Sequence, residues 1–156
     1  MIEITIPDLG SWALENLVLD FNGTLAEDGI LLPGVREALI NLSRRLKIHV
    51  VTGDTFGQAR RELDGIPCEL VILESVGQAH AKAQYVENLN PDRTVCIGNG
   101  RNDRLMLAKA ALGVAVVQKE GASAESLMAA QVVCRNIVEA LELLTKPLRL
   151  VATLRG

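Results

Sequence analysis

Aromatic residues are scarce in this chain, at 3% of 156 residues. Proteins that hold single-stranded nucleic acids stack the bases on aromatic rings, so this scarcity argues against a base-stacking module. Positive charge is in short supply as well. The net charge is −3 and the pI is near 5.4, whereas phosphate backbones are met by basic surfaces. We therefore expect no nucleic-acid partner.

The chain also lacks paired cysteines and long apolar runs. Cys68, Cys96 and Cys134 have no CxxC spacing, and each lies in or beside an apolar stretch. They are typical of reduced, buried thiols rather than of disulfides or a zinc site. No apolar run approaches the length needed to span a bilayer. Glu3 and Asp8 interrupt the first apolar residues, so we expect no signal peptide, no membrane partner and a cytoplasmic location.

Apolar residues make up 49% of the chain and charged residues 22%, which is typical of one globular domain over 1–156. Strands are predicted over 2–6, 17–20, 49–52, 69–73, 94–97, 113–117 and 131–134. A small hairpin is predicted over 25–33 around Asp28-Gly29. Helices are predicted from Pro33 to about 46, over about 55–64 and 78–89, after Asp103 to about 110, and over 123–129 and 136–145. This alternation predicts an α/β fold, with a doubly wound, Rossmann-like parallel sheet covered on both faces.

Polar side chains follow three of the predicted strands. Asp20 ends an apolar run and is followed by a Gly-Thr turn, Thr52 ends the next strand, and residues 99–103 follow the strand 94–97. Sites in such sheets open at the carboxyl ends of the strands, so these groups should meet in one crevice. A carboxylate beside free backbone N–H groups there suits a bound phosphate.

These stretches resemble the four motifs of the haloacid dehalogenase (HAD) superfamily of aspartate-nucleophile phosphotransferases, over about residues 15–145. The nearest likeness is to soluble proteins related to the phosphorylation domain of P-type ATPases. The motifs are Leu19-Asp20-Phe21-Asn22-Gly23-Thr24, Val50-Val51-Thr52-Gly53, the helix with Lys82, and Gly98-Asn99-Gly100-Arg101-Asn102-Asp103. Each motif is short, but their order and their places beside strands and helices agree with the family.

The resemblance implies a role for each of these residues. Asp20 would be the nucleophile and a Mg²⁺ ligand, with the backbone carbonyl of Asn22 as a second ligand. Thr52 and the N–H of Gly53 would hold phosphoryl oxygens, and Lys82 would neutralise charge. Asn99 and Asp103 would be further metal ligands. Gly23 and Asn102 would contact the substrate. Mg²⁺ and an ammonium group are needed because two anions must approach each other.

Two positions depart from the family pattern. HAD phosphatases carry an acid–base carboxylate two residues after the nucleophile, where this chain has Asn22, whose amide exchanges no proton near pH 7. Loss of a general acid–base group typically lowers the rate by about 10²–10⁴. P-type ATPases also lack an acid there and still form the aspartyl phosphate. Asn99 replaces a metal-binding Asp, which removes one negative charge and predicts weaker Mg²⁺ binding.

The family's cap domains have no room here, because the hairpin 25–33 and the connection 73–78 are short. Capless members act on large substrates or close the site with a neighbouring subunit, so a homo-oligomer is one expectation. The C-terminal arm, 146–156, is interpreted as a further strand, as an arm on a neighbouring subunit, or as a frayed terminus.

The sequence thus predicts a slow, Mg²⁺-dependent phosphatase or phosphotransferase that acts on a phosphorylated substrate through an aspartyl phosphate at Asp20. The alternative is a catalytically inactive HAD-fold protein that binds a phosphate or a protein partner. A response-regulator receiver domain is disfavoured, since the loop after the strand 17–20 has one Asp rather than an acidic pair. A dinucleotide-binding domain is disfavoured because Asp103 stands where a third glycine is required.

Overall fold

The structure is a computed structural model that describes residues 1–54 and 57–156. Its strands, β1 to β10 in chain order, are Ile2–Ile6, Gly10–Leu14, Asn16–Leu19, Ala26–Glu27, Ile30–Leu31, Lys47–Thr52, Glu69–Ile72, Thr94–Gly98, Leu112–Val116 and Val132–Cys134. Six of them form one parallel sheet in the order β10-β9-β8-β3-β6-β7. The predicted α/β fold with a Rossmann-like parallel sheet is confirmed.

The helices lie on both faces of this sheet. Helices α1 to α7 are Val35–Leu42, Gln58–Glu62, Gln78–Asn88, Arg104–Lys109, Ala124–Ala129, Ile137–Thr145 and Pro147–Leu154. One apolar core joins the sheet to α1, α2, α6, α7 and the hairpin β1–β2. A second core joins the opposite face to α3, α4 and α5. Aliphatic side chains fill both cores, which accounts for a well-packed sheet with so few aromatic residues.

The register of the central strand positions the predicted site. Leu19, the last residue of β3, lies beside Val50 of β6 and Ile97 of β8. Asp20 therefore follows the sheet directly between the ends of the two neighbouring strands, and its N–H donates to the carbonyl of Ile97. The order reverses at β3, because the chain runs outward from β3 through β6 to β7 and then returns to β8 on the other side of β3. This is the switch point at which α/β sheets bind ligands.

Several predicted boundaries differ from the structure. β2 was not predicted, because its residues from Gly10 to Leu14 show no clear alternation. It pairs with β1 in a separate hairpin. The first helix begins at Val35 rather than at Pro33 and ends at Leu42 rather than near 46. α2 begins at Gln58, and the predicted helical residues 55 and 56 lie outside the described part of the chain.

The C-terminal arm is the helix α7, so its interpretation as a strand was wrong. Pro147 occupies its first turn, where a missing N–H costs nothing. Leu150 is fully buried, and Val151 and Leu154 pack against the same core. This spacing is helical, and α7 covers the hairpin β1–β2 at a distance from the predicted crevice.

The small hairpin is confirmed, with Asp28 and Gly29 at φ 50° and 78°, which is typical of a type I′ turn. It joins β4 directly to β5, and residues 73–77 alone connect β7 to α3. Neither position carries an inserted cap domain. In the described ranges, every helix is too short or too polar to cross a membrane.

Candidate active site

The carboxyl ends of β3, β6 and β8 surround a crevice of about 520 Å³. All the predicted motif loops contribute to it. Its lining residues are Asp20, Asn22, Thr52, Gly53, Asp54, Gln78, Asn99, Gly100, Asn102 and Glu120. Asp20 is largely buried, at 7% exposure, so only a small part of this residue is accessible from the crevice. Lys82 and Asp103 lie in the wall behind it.

A tight turn holds the loop after Asp20. The carbonyl of Phe21 accepts N–H groups from Thr24, Leu25 and Ala26, and the Phe21 ring is fully buried. These bonds turn the chain back on itself, so that Gly23 donates to the carbonyl of Ala26. Gly23 has a φ of 79°, which disfavours any residue with a side chain. Gly23, the predicted substrate contact, lines a neighbouring cavity rather than the crevice around Asp20.

Lys82 joins Asp20 to Asp103 beneath the crevice. Its Nζ donates to Asp20 Oδ1 at 2.7 Å and to Asp103 Oδ1 at 2.6 Å, and its side chain is fully buried. Burial alone would lower the pKa of Lys82. The two carboxylates outweigh burial and hold that pKa above its ordinary value. Lys82 is therefore a permanent cation that offsets one of two buried negative charges.

Asp103 is held by hydrogen bonds on both of its oxygens. Oδ1 faces Lys82, while Oδ2 accepts the N–H of Asn99 at 3.0 Å and of Gly100 at 2.9 Å. Burial and the nearby charge of Asp20 raise the pKa of Asp103 to about 6, although Lys82 and the backbone oppose this shift. Asp103 was predicted as a metal ligand. The structure places it between Lys82 and the loop of residues 99–103, with both oxygens already engaged.

Thr24 links the two loops that carry the predicted metal ligands. Its Oγ1 lies 3.3 Å from Asp20 Oδ2 and 3.2 Å from Asn99 Oδ1, and all three residues are buried. Asn99 Nδ2 donates to the carbonyl of Gly121 at 3.1 Å, which turns the amide oxygen of Asn99 toward Asp20. The second oxygen of Asp20 and the amide oxygen of Asn99 are thereby held on either side of the Thr24 hydroxyl.

This donor set fits a small hard cation. Asp20 and Asn99 offer carboxylate and amide oxygens, Asn22 lines the same crevice, and Mg²⁺ takes oxygen ligands. Within 1–54 and 57–156, no three His, Cys, Asp or Glu side chains cluster in a way that could hold a metal. The ligands of a cation here would therefore be amide and carbonyl oxygens together with isolated carboxylates, rather than a cluster of acidic side chains.

The predicted phosphate-binding residues lie on the opposite side of the crevice. Thr52 Oγ1 accepts the N–H of Asp54 at 3.3 Å. Gln78, at the start of α3, accepts from Asn102 Nδ2 at 2.8 Å, and its amide packs directly against Gly53. The sequence analysis missed Gln78, which lies in no recognised motif. Its position four residues before Lys82, on the same face of a helix, was the available signal.

A turn over residues 118–121 also escaped the sequence analysis. Gln118 Nε2 donates to the carbonyls of Gly23 at 3.1 Å and Thr24 at 2.9 Å, and Gln118 Oε1 accepts the N–H of Ile137 at 2.9 Å. A hydrogen bond of 2.8 Å from the N–H of Gly121 to the carbonyl of Gln118 closes the turn. It brings Glu120 to the rim of the crevice, where no sequence motif had indicated a functional group.

A second cavity of about 460 Å³ adjoins the first, and Glu120 lines both. Gly23 lines the second cavity. Its remaining lining residues are Ala26, Glu27, Leu32, Gln118, Lys119, Arg135 and Asn136. Lys119 is paired with Glu27 at 2.8 Å. The crevice around Asp20 is polar, whereas Ala26 and Leu32 give this neighbour an apolar wall.

Comparison with known proteins places these observations in context. No family model matches the chain. It is 40% identical over 79 residues to the uncharacterized protein MJ0073 of Methanocaldococcus jannaschii, a match that covers 48% of this chain and 85% of that protein. It is also 30% identical over 128 residues to a probable copper-exporting P-type ATPase of Archaeoglobus fulgidus. That match covers 80% of this chain but 16% of the ATPase.

Three solved structures with the same fold are two phosphatases and a hydrolase. A 3-deoxy-D-manno-octulosonate 8-phosphate phosphatase of Moraxella catarrhalis, in complex with magnesium, phosphate and KDO, superposes with a TM-score of 0.70 at 14% identity, over 92% of this chain and 94% of that one. The cobalt-bound Haemophilus influenzae phosphatase gives 0.72 at 13% identity, with the same coverage. A HAD family hydrolase of Streptomyces avermitilis gives 0.62 at 20% identity, over 79% and 76%.

Proposed function

We propose that this chain, which has the fold of haloacid dehalogenase hydrolases and no inserted cap domain, is a slow phosphatase or phosphotransferase acting through an aspartyl phosphate at Asp20. The observation that carries this proposal is the arrangement of Asp20 itself. Its carboxylate lines the crevice at the switch point of the sheet, with one oxygen 2.7 Å from Lys82 Nζ and the other 3.3 Å from the hydroxyl of Thr24.

The chemistry follows from these contacts. One oxygen of Asp20 forms a bond to the phosphorus of a phosphomonoester as the bond from phosphorus to the leaving-group oxygen breaks. The leaving-group oxygen then takes a proton from water. Lys82 offsets negative charge on Asp20 and Asp103 throughout. Attack of water on the phosphorus then releases phosphate and restores the carboxylate. Thr52 and the N–H of Gly53 are proposed to hold phosphoryl oxygens on the far side of the crevice.

Mg²⁺ is the proposed cofactor, since it neutralises phosphate charge when bound. Asp20, the carbonyl of Asn22 and Asn99 would hold it, and Asp103 is proposed to complete this side of the site. Two solved structures with the same fold hold magnesium and cobalt, respectively, which supports a divalent cation. The oxygen donors of the crevice favour a hard one.

Asn22 is the basis for proposing slow turnover. It lines the crevice two residues after Asp20, and its amide cannot pass a proton to a leaving group or take one from water. The step that suffers most is hydrolysis of the aspartyl phosphate, because water must be deprotonated as it attacks. We therefore expect the phosphorylated protein to persist longer than in an enzyme with a carboxylate at this position.

The substrate is proposed to be a phosphorylated compound whose organic part enters the second cavity. That cavity adjoins the crevice at Glu120, which lines both, and its volume of about 460 Å³ is within the range of small-molecule pockets. An open crevice without a cap also suits closure by a second copy of the chain, so a homo-oligomer is part of the proposal. We propose a cytoplasmic location and no nucleic-acid or membrane partner.

Intact-mass spectrometry after incubation with acetyl phosphate and Mg²⁺ tests this function. We expect a phosphoryl adduct on the wild-type protein, no adduct on Asp20→Asn, and loss of the signal when EDTA is added beforehand. Asp54→Asn is a suitable control, because it removes a carboxylate from the same crevice. An adduct that persists in Asp20→Asn would disprove the assignment of the nucleophile.

The second candidate is a catalytically inactive protein that binds a phosphate or a protein partner. The paired amides Asn22 and Asn99 favour it, because both keep the shape of a carboxylate and neither carries its charge. No adduct at high acetyl phosphate and Mg²⁺, together with measurable binding of inorganic phosphate, would support this candidate instead.

A further inference from the structure

The proposed metal site lacks a charge at Asn99, and one unused carboxylate lies beside that position. Glu120 lines the same crevice as Asp20, Asn22 and Asn99. Its own side chain has no hydrogen-bond or ion-pair partner among residues 1–54 and 57–156. A carboxylate that faces a crevice without a partner is available to a ligand, so the question is whether the fold holds it there.

Hydrogen bonds fix the turn of residues 118–121 to both loops of the proposed metal site. Gln118 binds the carbonyls of Gly23 and Thr24, next to Asp20. On the other side, Asn99 Nδ2 donates to the carbonyl of Gly121, and the carbonyl of Asn99 accepts from the N–H of residue 123. Glu120 lies between these two attachments. Its backbone is therefore positioned relative to both Asp20 and Asn99.

The space above Gly23 brings the side chains together. A Cβ atom at Gly23 would overlap Glu120 Oε2 and would lie 2.5 Å and 2.8 Å from Asn99 Nδ2 and Oδ1. The carboxylate of Glu120 and the amide of Asn99 therefore occupy the volume that a side chain at this position would take. Because Gly23 has none, Glu120 reaches the amide that replaces the expected carboxylate.

We propose that Glu120 supplies to the cation site the negative charge that Asn99 does not provide. The inference rests on the proposed function, because it concerns the same Mg²⁺ site. The charge of the site is then carried by carboxylates from two different loops, after β3 and after β9. Affinity for hard cations depends on the number of charged oxygen ligands, so the loss of either carboxylate weakens binding.

Mg²⁺ binding to the full chain, measured by isothermal titration calorimetry, tests this role without reference to turnover. We expect Glu120→Gln to raise the Kd for Mg²⁺ by about tenfold, because one of the charged ligands is removed. Glu125→Gln is the matched control. It removes the same charge five positions along, where the carboxylate is paired with Arg101 and Arg104, and its Kd should stay within about twofold of wild type.

The double variant Asn99→Asp/Glu120→Gln tests whether charge is the property that matters. It has the net charge of the wild type, and its Kd should return toward the wild-type value. A wild-type Kd in Glu120→Gln, an equal loss in Glu125→Gln, or no recovery in the double variant would each overturn the inference.

The acetyl phosphate experiment separates this inference from the proposed function. An adduct on Asp20 together with unchanged Mg²⁺ binding in Glu120→Gln would refute the role of Glu120 alone. Absence of both Mg²⁺ binding and the adduct in the wild type would refute both.

Discussion

Lys82 Nζ lies 2.7 Å from Asp20 Oδ1, although the two residues are 62 positions apart in the chain. Lys82 reaches Asp20 from α3, which also carries Gln78, whereas the other groups around the crevice lie on loops or beside strand ends. The ammonium is fully buried and is shared with Asp103 at 2.6 Å. This contact fixes the orientation of the proposed nucleophile and joins the two sides of the site.

Replacing Lys82 by Met should destabilise the protein and abolish phosphorylation. The change leaves Asp20 and Asp103 as two buried carboxylates without a cation, and breaking a buried ion pair costs about 3–5 kcal/mol. Urea unfolding would measure the free energy of unfolding, and intact mass would measure the adduct.

The double variant Lys82→Met/Asp103→Asn separates charge from packing. It removes one of the two opposed carboxylates, so part of the lost stability should return while the adduct stays absent. Equal stability of the single and double variants would show that the loss comes from packing rather than from charge.

Asn22→Asp should shorten the life of the aspartyl phosphate. The new carboxylate would stand in the crevice two residues after Asp20, where it can take a proton from the attacking water. We expect hydrolysis to accelerate by about 10²–10⁴, measured as decay of the intact-mass adduct after removal of acetyl phosphate. Asn22→Ala, which also removes the amide but adds no base, should not accelerate the decay.

Gly98→Ala should disturb Asp103 without touching the crevice directly. A methyl group at Gly98 would lie 2.6 Å from Asp103 Oδ2 and 2.7 Å from its Cβ, and overpacking of this kind costs about 1–3 kcal/mol. Displacement of Asp103 also withdraws a partner from Lys82. We expect lower stability in urea and less adduct, and a larger loss for Gly98→Val. Wild-type stability in Gly98→Ala would contradict the close approach.

His49 should make the protein less stable in mild acid. Burial lowers the pKa of His49, and the charge of Lys47 lowers it further. Glu69 raises this pKa but does not outweigh these effects. Nδ1 lies 2.9 Å from the hydroxyl of Tyr85, while Nε2 is buried without a partner in the described chain. The unfolded chain therefore takes up a proton near the ordinary pKa of 6.5, before folded His49 does. Stability falls as the pH drops through and below that value.

His49→Phe tests this dependence, because it keeps a ring against Tyr85 and cannot be protonated. Urea unfolding at pH 7.5 and pH 5.5 should show a smaller loss of stability in the variant than in the wild type. Asp103 acts in the opposite direction in both proteins, since its pKa is raised to about 6. Equal losses in the two proteins would refute the role of His49.

The central sheet could be predicted because its strands are short apolar runs that end in polar loops. Asp20 and Asn99 directly follow β3 and β8, and parallel strands bring their carboxyl ends to one edge. That rule was sufficient to predict which motif residues would meet. α7 was less predictable, because residues such as Leu150 and Val151 fit a strand as well as a helix until their packing partner, the hairpin β1–β2, is known.

The contributions of Gln78, Gln118 and Glu120 could not be predicted from the sequence. Gln118 acts through the carbonyls of Gly23 and Thr24, about ninety residues earlier in the chain, and such a contact follows no local pattern. Glu120 gains its position from the turn that Gln118 anchors and from the missing side chain of Gly23. Tertiary contacts, rather than propensity or motif, bring these groups to the crevice.

The balance of charge around Asp20 also sets an order of events. In the described part of the site, the carboxylates of Asp20, Asp103 and Glu120 outnumber the single ammonium of Lys82. A phosphate dianion therefore meets repulsion in the cation-free protein. A divalent cation would have to bind before the substrate, so the concentration of free magnesium would control phosphorylation of Asp20. The protein would then not react with phosphate esters when the magnesium concentration is low.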